Sequence, residues 1–158
     1  MINENDLNKY YGEIAEKLDE IIPMKWDKIV MYAEELGTVN SASFYFYTDD
    51  CNNINYSGDI PSKFGVSRET FKLLLRELRE INRNLWQEFK NAGETAWSTF
   101  TLTLNSDGKF KVKFDYEINN EIGLLEREIR WAYDELGIVP EDEYEMKLLD
   151  EYRNCITK

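Results

Sequence analysis

The stretch Trp97-Ser98-Thr99-Phe100-Thr101-Leu102-Thr103-Leu104-Asn105-Ser106-Asp107-Gly108-Lys109-Phe110-Lys111-Val112-Lys113-Phe114-Asp115-Tyr116-Glu117 decides the fold class. Phe100, Leu102 and Leu104 alternate with threonines. After Ser106-Asp107-Gly108, Phe110, Val112 and Phe114 alternate with Lys109, Lys111 and Lys113. A period of two is the period of a strand, so the segment predicts a β-hairpin with one apolar and one wet face. A two-residue loop would set Leu104 opposite Lys111 and mix the faces. A three-residue loop, Ser106 to Gly108 with Gly108 left-handed, pairs Leu104 with Phe110, Leu102 with Val112 and Phe100 with Phe114.

An apolar sheet face needs a cover, and the flanking sequence supplies helices. Leu7, Tyr10, Tyr11, Ile14, Leu18, Ile21 and Ile22 form one helical stripe, with Asn3 or Asn5 as N-cap and Pro23 just beyond. Trp26 to Leu36 reads as a strand with Ile29, Met31 and Ala33 on one side and Val30, Tyr32 and Glu34 on the other. Ser41 to Thr48 is a second strand, and the turn Asp49-Asp50-Cys51-Asn52-Asn53 leads to a short third near Ile54 to Ser57. Ile60 to Val66 is a connector. Ser67 caps a long helix whose stripe is Phe71, Leu74, Leu75, Leu78, Ile81 or Asn82, Leu85 and Phe89, with Leu73 and Trp86 off it. After the hairpin, Ile118 to Leu136 carries a third helical stripe closed by Gly137. Pro140 opens a last helix with Glu141, Asp142 and Glu143 in its first turn and Tyr144, Leu148, Leu149 and Tyr152 inside. The order α-β-β-β-α-β-β-α-α, with strands in runs, is that of an α+β fold. It predicts an antiparallel sheet of about five strands covered by helices, one domain over residues 1–158.

Charge narrows the function. The chain carries 31 acidic and 19 basic residues, net −12, and 114–151 holds 13 acidic against 3 basic residues. Such a tract opposes direct contact with nucleic acid or an anionic membrane and suits a basic protein partner. No apolar run is long enough to span a bilayer, and the first residues lack a basic-then-apolar leader. Cys51 and Cys155 have neither metal-like nor redox spacing, which fits reduced thiols in the cytoplasm.

Catalysis has little to stand on. The chain has no histidine, so Ser-His and Cys-His arrangements are excluded, and no Gly-rich phosphate loop occurs. Asp115 with Glu117, sharing a strand face beside the lysines, is the candidate pair for a carboxylate-dependent metal enzyme; Asp49 with Asp50 fits a turn as well. Recognition has better candidates. Tyr56, near Tyr45, Tyr47 and Asp59, accompanies Asp49 and Asp50 in one cluster. Trp131, off its helix's stripe, accompanies Glu128, Asp134, Glu135, Glu141 and Asp142 in a second. No cofactor is expected.

Several landmarks, in order, carry a resemblance: Ile22-Pro23-x-x-Trp26-x-Lys28-Ile29, Phe44-Tyr45-Phe46-Tyr47, Asn55-Tyr56, Ile60-Pro61-x-x-Phe64 with Phe71 downstream, and Trp97-Ser98-x-Phe100. They continue with Gly108-Lys109-Phe110-x-Val112-x-Phe114-Asp115-Tyr116 and Gly137-Ile138-x-Pro140-x-x-x-Tyr144-Glu145. Over nearly its whole length the chain resembles the YezG-like immunity proteins, small acidic antitoxins. The resemblance implies a non-enzymatic protein that binds the C-terminal nuclease domain of a YeeF-like or EsaD-like toxin, exported by a type VII secretion system, and neutralises it in the producing cell. It carries over no catalytic or toxin-contacting residue. A metal enzyme and an export chaperone or scaffold for the toxin are the alternatives.

Overall fold

The computed structural model describes residues 2–156, which divide into two compact units, residues 2–117 and 118–156. The first holds α1 (Glu4–Ile21), β1 (Lys28–Glu35), β2 (Asn40–Thr48), β3 (Asn53–Tyr56), α2 (Ile60–Phe64), α3 (Arg68–Asn91), β4 (Thr99–Asn105) and β5 (Phe110–Asp115). The second holds α4 (Leu124–Leu136) and α5 (Glu143–Ile156). The five strands form one antiparallel sheet in the order β3-β2-β1-β4-β5. This is the expected α+β order with one addition: the connector after β3 coils into a 3-10 turn, Ser57–Asp59, and the short α2. Gly65, in left-handed conformation at φ 66°, ends α2.

The hairpin has the register its alternation demands. Leu104 pairs with Phe110, Leu102 with Val112 and Phe100 with Phe114 across a Ser106–Gly108 loop, with Gly108 at φ 89°. Its apolar face joins Ile29, Met31 and Ala33 of β1 and Phe44 and Phe46 of β2. Against them pack the stripes of α1 (Tyr11, Ile14, Leu18, Ile21) and α3 (Phe71, Leu78, Leu85, Phe89) in a single core. Asn3 caps α1, its Oδ1 accepting from the Asp6 N–H at 2.8 Å, and Ser67 caps α3 through the Thr70 N–H. Of the two residues that could continue the α3 stripe, Asn82 is the buried one, and neither polar atom of its amide has a hydrogen-bond partner among the described residues. Trp86 lies beside the Gly37 turn, whereas Leu73 remains exposed.

Four expectations need correction. Phe110 is 47% exposed and Phe114 half-buried, because β5 is an edge strand; the Phe110 ring still meets the Tyr11 ring, centroids 5.4 Å apart. Thr99 and Thr101, expected on a wet face, are buried. They belong to an interior strand, Thr101 between Tyr32 and Lys113 and Thr99 between Glu34 and Asp115. The helix after the hairpin starts at Leu124, not Ile118. Asn119 turns the chain by accepting the Glu121 N–H at 3.0 Å, and Gly123 precedes the first turn. The last helix starts at Glu143, because Asp142 stands before it as a cap, accepting the Glu145 N–H at 3.0 Å; Tyr144 is then 63% exposed rather than inside.

Within the second unit α4 and α5 are tied by charge and rings. The Tyr152 hydroxyl donates to Asp134, the Arg130 guanidinium lies 4.5 Å over the Tyr152 ring while bonding Glu126 at 3.0 Å, and Arg153 covers Tyr133. Ile129, Ala132 and Leu149 are buried.

The burial pattern sets two expectations. Phe100→Ala, at a fully buried position, lowers stability by roughly 3–5 kcal/mol through transfer and cavity terms, whereas Phe110→Ala costs about 1 kcal/mol. Denaturant midpoints of the two variants give the comparison. The hydrogen bond to Asp134, with burial second, pushes the Tyr152 phenol up to about 12. Its contribution to stability is therefore complete below the ordinary tyrosine value and is lost as pH rises through about 12. The difference in phenolate absorbance between wild type and Asp134→Asn should show one tyrosine whose late titration the variant returns toward the ordinary range.

Candidate partner-binding surfaces

The first candidate cluster is built by a strained turn. Asp49, Asp50 and Cys51 all have positive φ (55°, 53° and 67°), a conformation that costs an L-residue about 1–2 kcal/mol and that Asp tolerates better than Cys. Asp27 helps to hold it. The Asp27 carboxylate accepts the Cys51 N–H at 3.2 Å, its own N–H donates to the Tyr47 carbonyl at 2.7 Å, and its carbonyl accepts the Ser106 N–H at 2.9 Å. One residue thus brings the β2–β3 turn and the β4–β5 loop to the same end of the sheet. Asp49, Asp50 and Asp107 are all exposed there, and Asp27 half-buried. Sequence reasoning missed Asp27 and Asp107, which are far from Asp49 in the chain; the turn signals on both hairpins were the available clue.

Tyr56 belongs to the same hairpin but not to its tip. It pairs with Tyr45, ring centroids 5.1 Å apart, at the other end of the four-residue β3, about 10 Å along the strand from the turn. Its ring lies over Gly58, where an added Cβ would come within 2.4 Å of Tyr56 Cε2. Tyr47 pairs with Ile54 on the same face, with Lys28 5.2 Å over its ring, and burial raises the Tyr47 phenol above its ordinary value. Tyr45, Tyr47, Ile54 and Tyr56 therefore form a half-exposed aromatic patch. Asp59 sits apart in the 3-10 turn, 3.7 Å from Lys63.

The second cluster is in the 118–156 unit. Glu128, Trp131 and Glu135 fall at i, i+3 and i+7 and share one side of α4; Glu128 and Trp131 are half-buried and Glu135 is exposed. Asp134 is exposed but already accepts from Tyr152. Glu141 and Asp142 lie in the connection to α5, both exposed, with Asp142 serving as the cap. Tyr144, between Glu143 and Glu145, gives this acidic stretch a largely exposed ring.

The residues weighed for metal chemistry do not gather. Asp115 ends β5 opposite Thr99, and Glu117 lies beyond the strand, so the two do not share a strand face. Among the described residues no group of three or more Asp, Glu, Cys or His is placed to hold a metal ion. No helix among them is long and apolar enough to cross a membrane.

The model of the family described as "Immunity protein YezG-like" matches residues 7–150. The immunity protein YezG of Bacillus subtilis strain 168 is 42% identical over 144 residues, covering 90% of this chain and 95% of its own. That of Bacillus spizizenii is 33% identical over 144 residues, covering 90% and 89%. The type VII secretion system protein EsaG of Staphylococcus aureus strain NCTC 8325 is 31% identical over 161 residues, covering 99% and 97%. With the match running through both units, this chain belongs to the YezG-like immunity protein family.

Proposed function

We propose that the protein is a cytoplasmic antitoxin that binds the C-terminal nuclease domain of a cognate secreted toxin and covers its basic nucleic-acid cleft with an acidic surface. Family membership supports an immunity role, and the relation to EsaG, a type VII secretion system protein, supports a link to that secretion route. The observation that carries the rest is the charge of residues 114–151, 13 acidic against 3 basic, which complements any surface built to hold phosphates. The binding residues on this proposal are Glu128, Trp131, Asp134, Glu135, Glu141 and Asp142, with Asp49, Asp50 and Tyr56 as a second cluster. Exposed charge pairs contribute at most ~1 kcal/mol each, so affinity needs aromatic anchors, and the proposal assigns that role to Trp131, Tyr56 and the exposed Tyr144. The protein acts by occupancy and needs no catalytic group or cofactor of its own.

Mixing the purified protein with the nuclease domain encoded beside its gene should abolish DNA or RNA cleavage at near-equal stoichiometry; undiminished cleavage in the presence of excess protein would refute the proposal. The rates separate steering from anchoring. Association should slow markedly between about 50 and about 500 mM salt, with dissociation changing less. Reversing Glu135 and Glu141 to Lys should mainly lower the association rate, while Tyr144→Ala or Trp131→Ala should mainly raise the dissociation rate. Association that ignores both salt and the reversals would mean that the toxin docks elsewhere.

A further inference from the structure

Helix α3 carries Arg68, Lys72, Arg76, Arg79, Arg83 and Lys90, at intervals of four, four, three, four and seven. With about 3.6 residues per turn, all six fall within about 80° of arc. No acidic residue of the helix lies in that arc. Glu69 and Glu80 border it, and Glu77 and Glu88 lie farther round, where Lys17 and Tyr10 of α1 reach them at 3.5 and 3.4 Å. Two of the six cations are already in use: Arg83 grips the buried Glu35, and Lys90 lies 4.4 Å over the Trp86 ring. The other four, Arg68 to Arg79, make no ion pair among the described residues, although Glu80 is one turn from Arg76. Arg68, Lys72 and Arg76 are exposed and Arg79 half-buried. They form a straight row about 17 Å long at about 1.5 Å rise per residue. In a chain with 31 carboxylate side chains and 19 cationic ones, a row left unpaired over three turns runs against the average.

We propose that this row docks an acidic segment of a protein partner, laid along α3 with a carboxylate for each turn. Leu73 favours a protein. It is 49% exposed and three residues before Arg76, so it offers the apolar contact that exposed ion pairs need beside them. The net charge of −12 also disfavours nucleic acid and anionic membrane, whose charge extends over a surface and meets the rest of the acidic chain within a Debye length of about 10 Å. A short acidic segment meets the row alone. The inference stands apart from the antitoxin proposal, which assigns basic chemistry to its partner and uses other residues.

The test uses the full chain and a fluorescent helical peptide of roughly 18 residues with a Glu on each turn of one face and a Leu among them. Anisotropy should report binding at about 30 mM salt that weakens about tenfold or more by about 300 mM. The variant Arg68→Glu/Lys72→Glu/Arg76→Glu/Arg79→Glu should lose it, and so should the milder fourfold change to Gln, while Lys111→Glu/Lys113→Glu on β5 should keep it. Leu73→Ala should weaken binding without altering its salt dependence. The proposal is overturned if the wild-type chain ignores the peptide, or if the fourfold variants, with native circular dichroism, bind as well as wild type. It is equally overturned if duplex DNA or vesicles containing anionic lipid bind the row more tightly than the peptide.

Discussion

The carboxylate of Glu35 is fully shielded from water and has four donors in its place. Arg83 supplies two, through Nε at 3.0 Å and Nη2 at 2.8 Å, Asn40 supplies its amide at 2.9 Å, and the Gly37 N–H completes the set at 2.9 Å. Desolvating a carboxylate is tolerable only when its lone pairs are satisfied this fully, and removing one partner from such a group typically costs about 3–5 kcal/mol. The arrangement fixes three elements at once: the end of β1, the start of β2 and the middle of α3. It also sets the rotation of α3 about its axis. With Arg83 held at the β1–β2 turn, the apolar stripe faces the sheet, and the other cations of the helix take the flank that Arg83 occupies.

How much of this could be read in advance depended on the range of each interaction. The 97–117 hairpin was legible to the exact register, because alternation, the Asp107-Gly108 turn and the need to keep Leu104 away from Lys111 are all local. The two sides of β1 were legible for the same reason. The extent of burial was not. Phe110 and Phe100 look alike in the sequence, and only the strand order, with β5 at the edge and β4 inside, separates them. Helix starts failed where a polar side chain intercepted the backbone, as Asn119 and Asp142 do.

The candidate surfaces followed a similar division. Net charge is additive along the chain, so the acidic tract could be counted without a fold. The gathering of Asp27 and Asp107 with Asp49 and Asp50 could not, since it depends on hydrogen bonds between residues 24 and about 80 positions apart. The basic row of α3 failed for the opposite reason: its spacing is plain in the sequence, but a count of net charge averages it away among the acids of the same helix. Charge in this chain is segregated, so its total does not reveal the cationic row on one flank of α3.

The two ends of the sheet's strand order invite one last consequence. An edge strand offers unpaired backbone to any neighbour, and the usual outcome for a long, flat, apolar edge is association with another copy. Here β3 is only four residues long, and β5 interleaves its apolar residues with Lys111 and Lys113, following Lys109. Brevity at one edge and like-charge repulsion at the other both discourage edge-to-edge growth. The chain is thereby suited to accumulate at high concentration as a reserve without aggregating, which matters for any protein whose protective value depends on never being outnumbered.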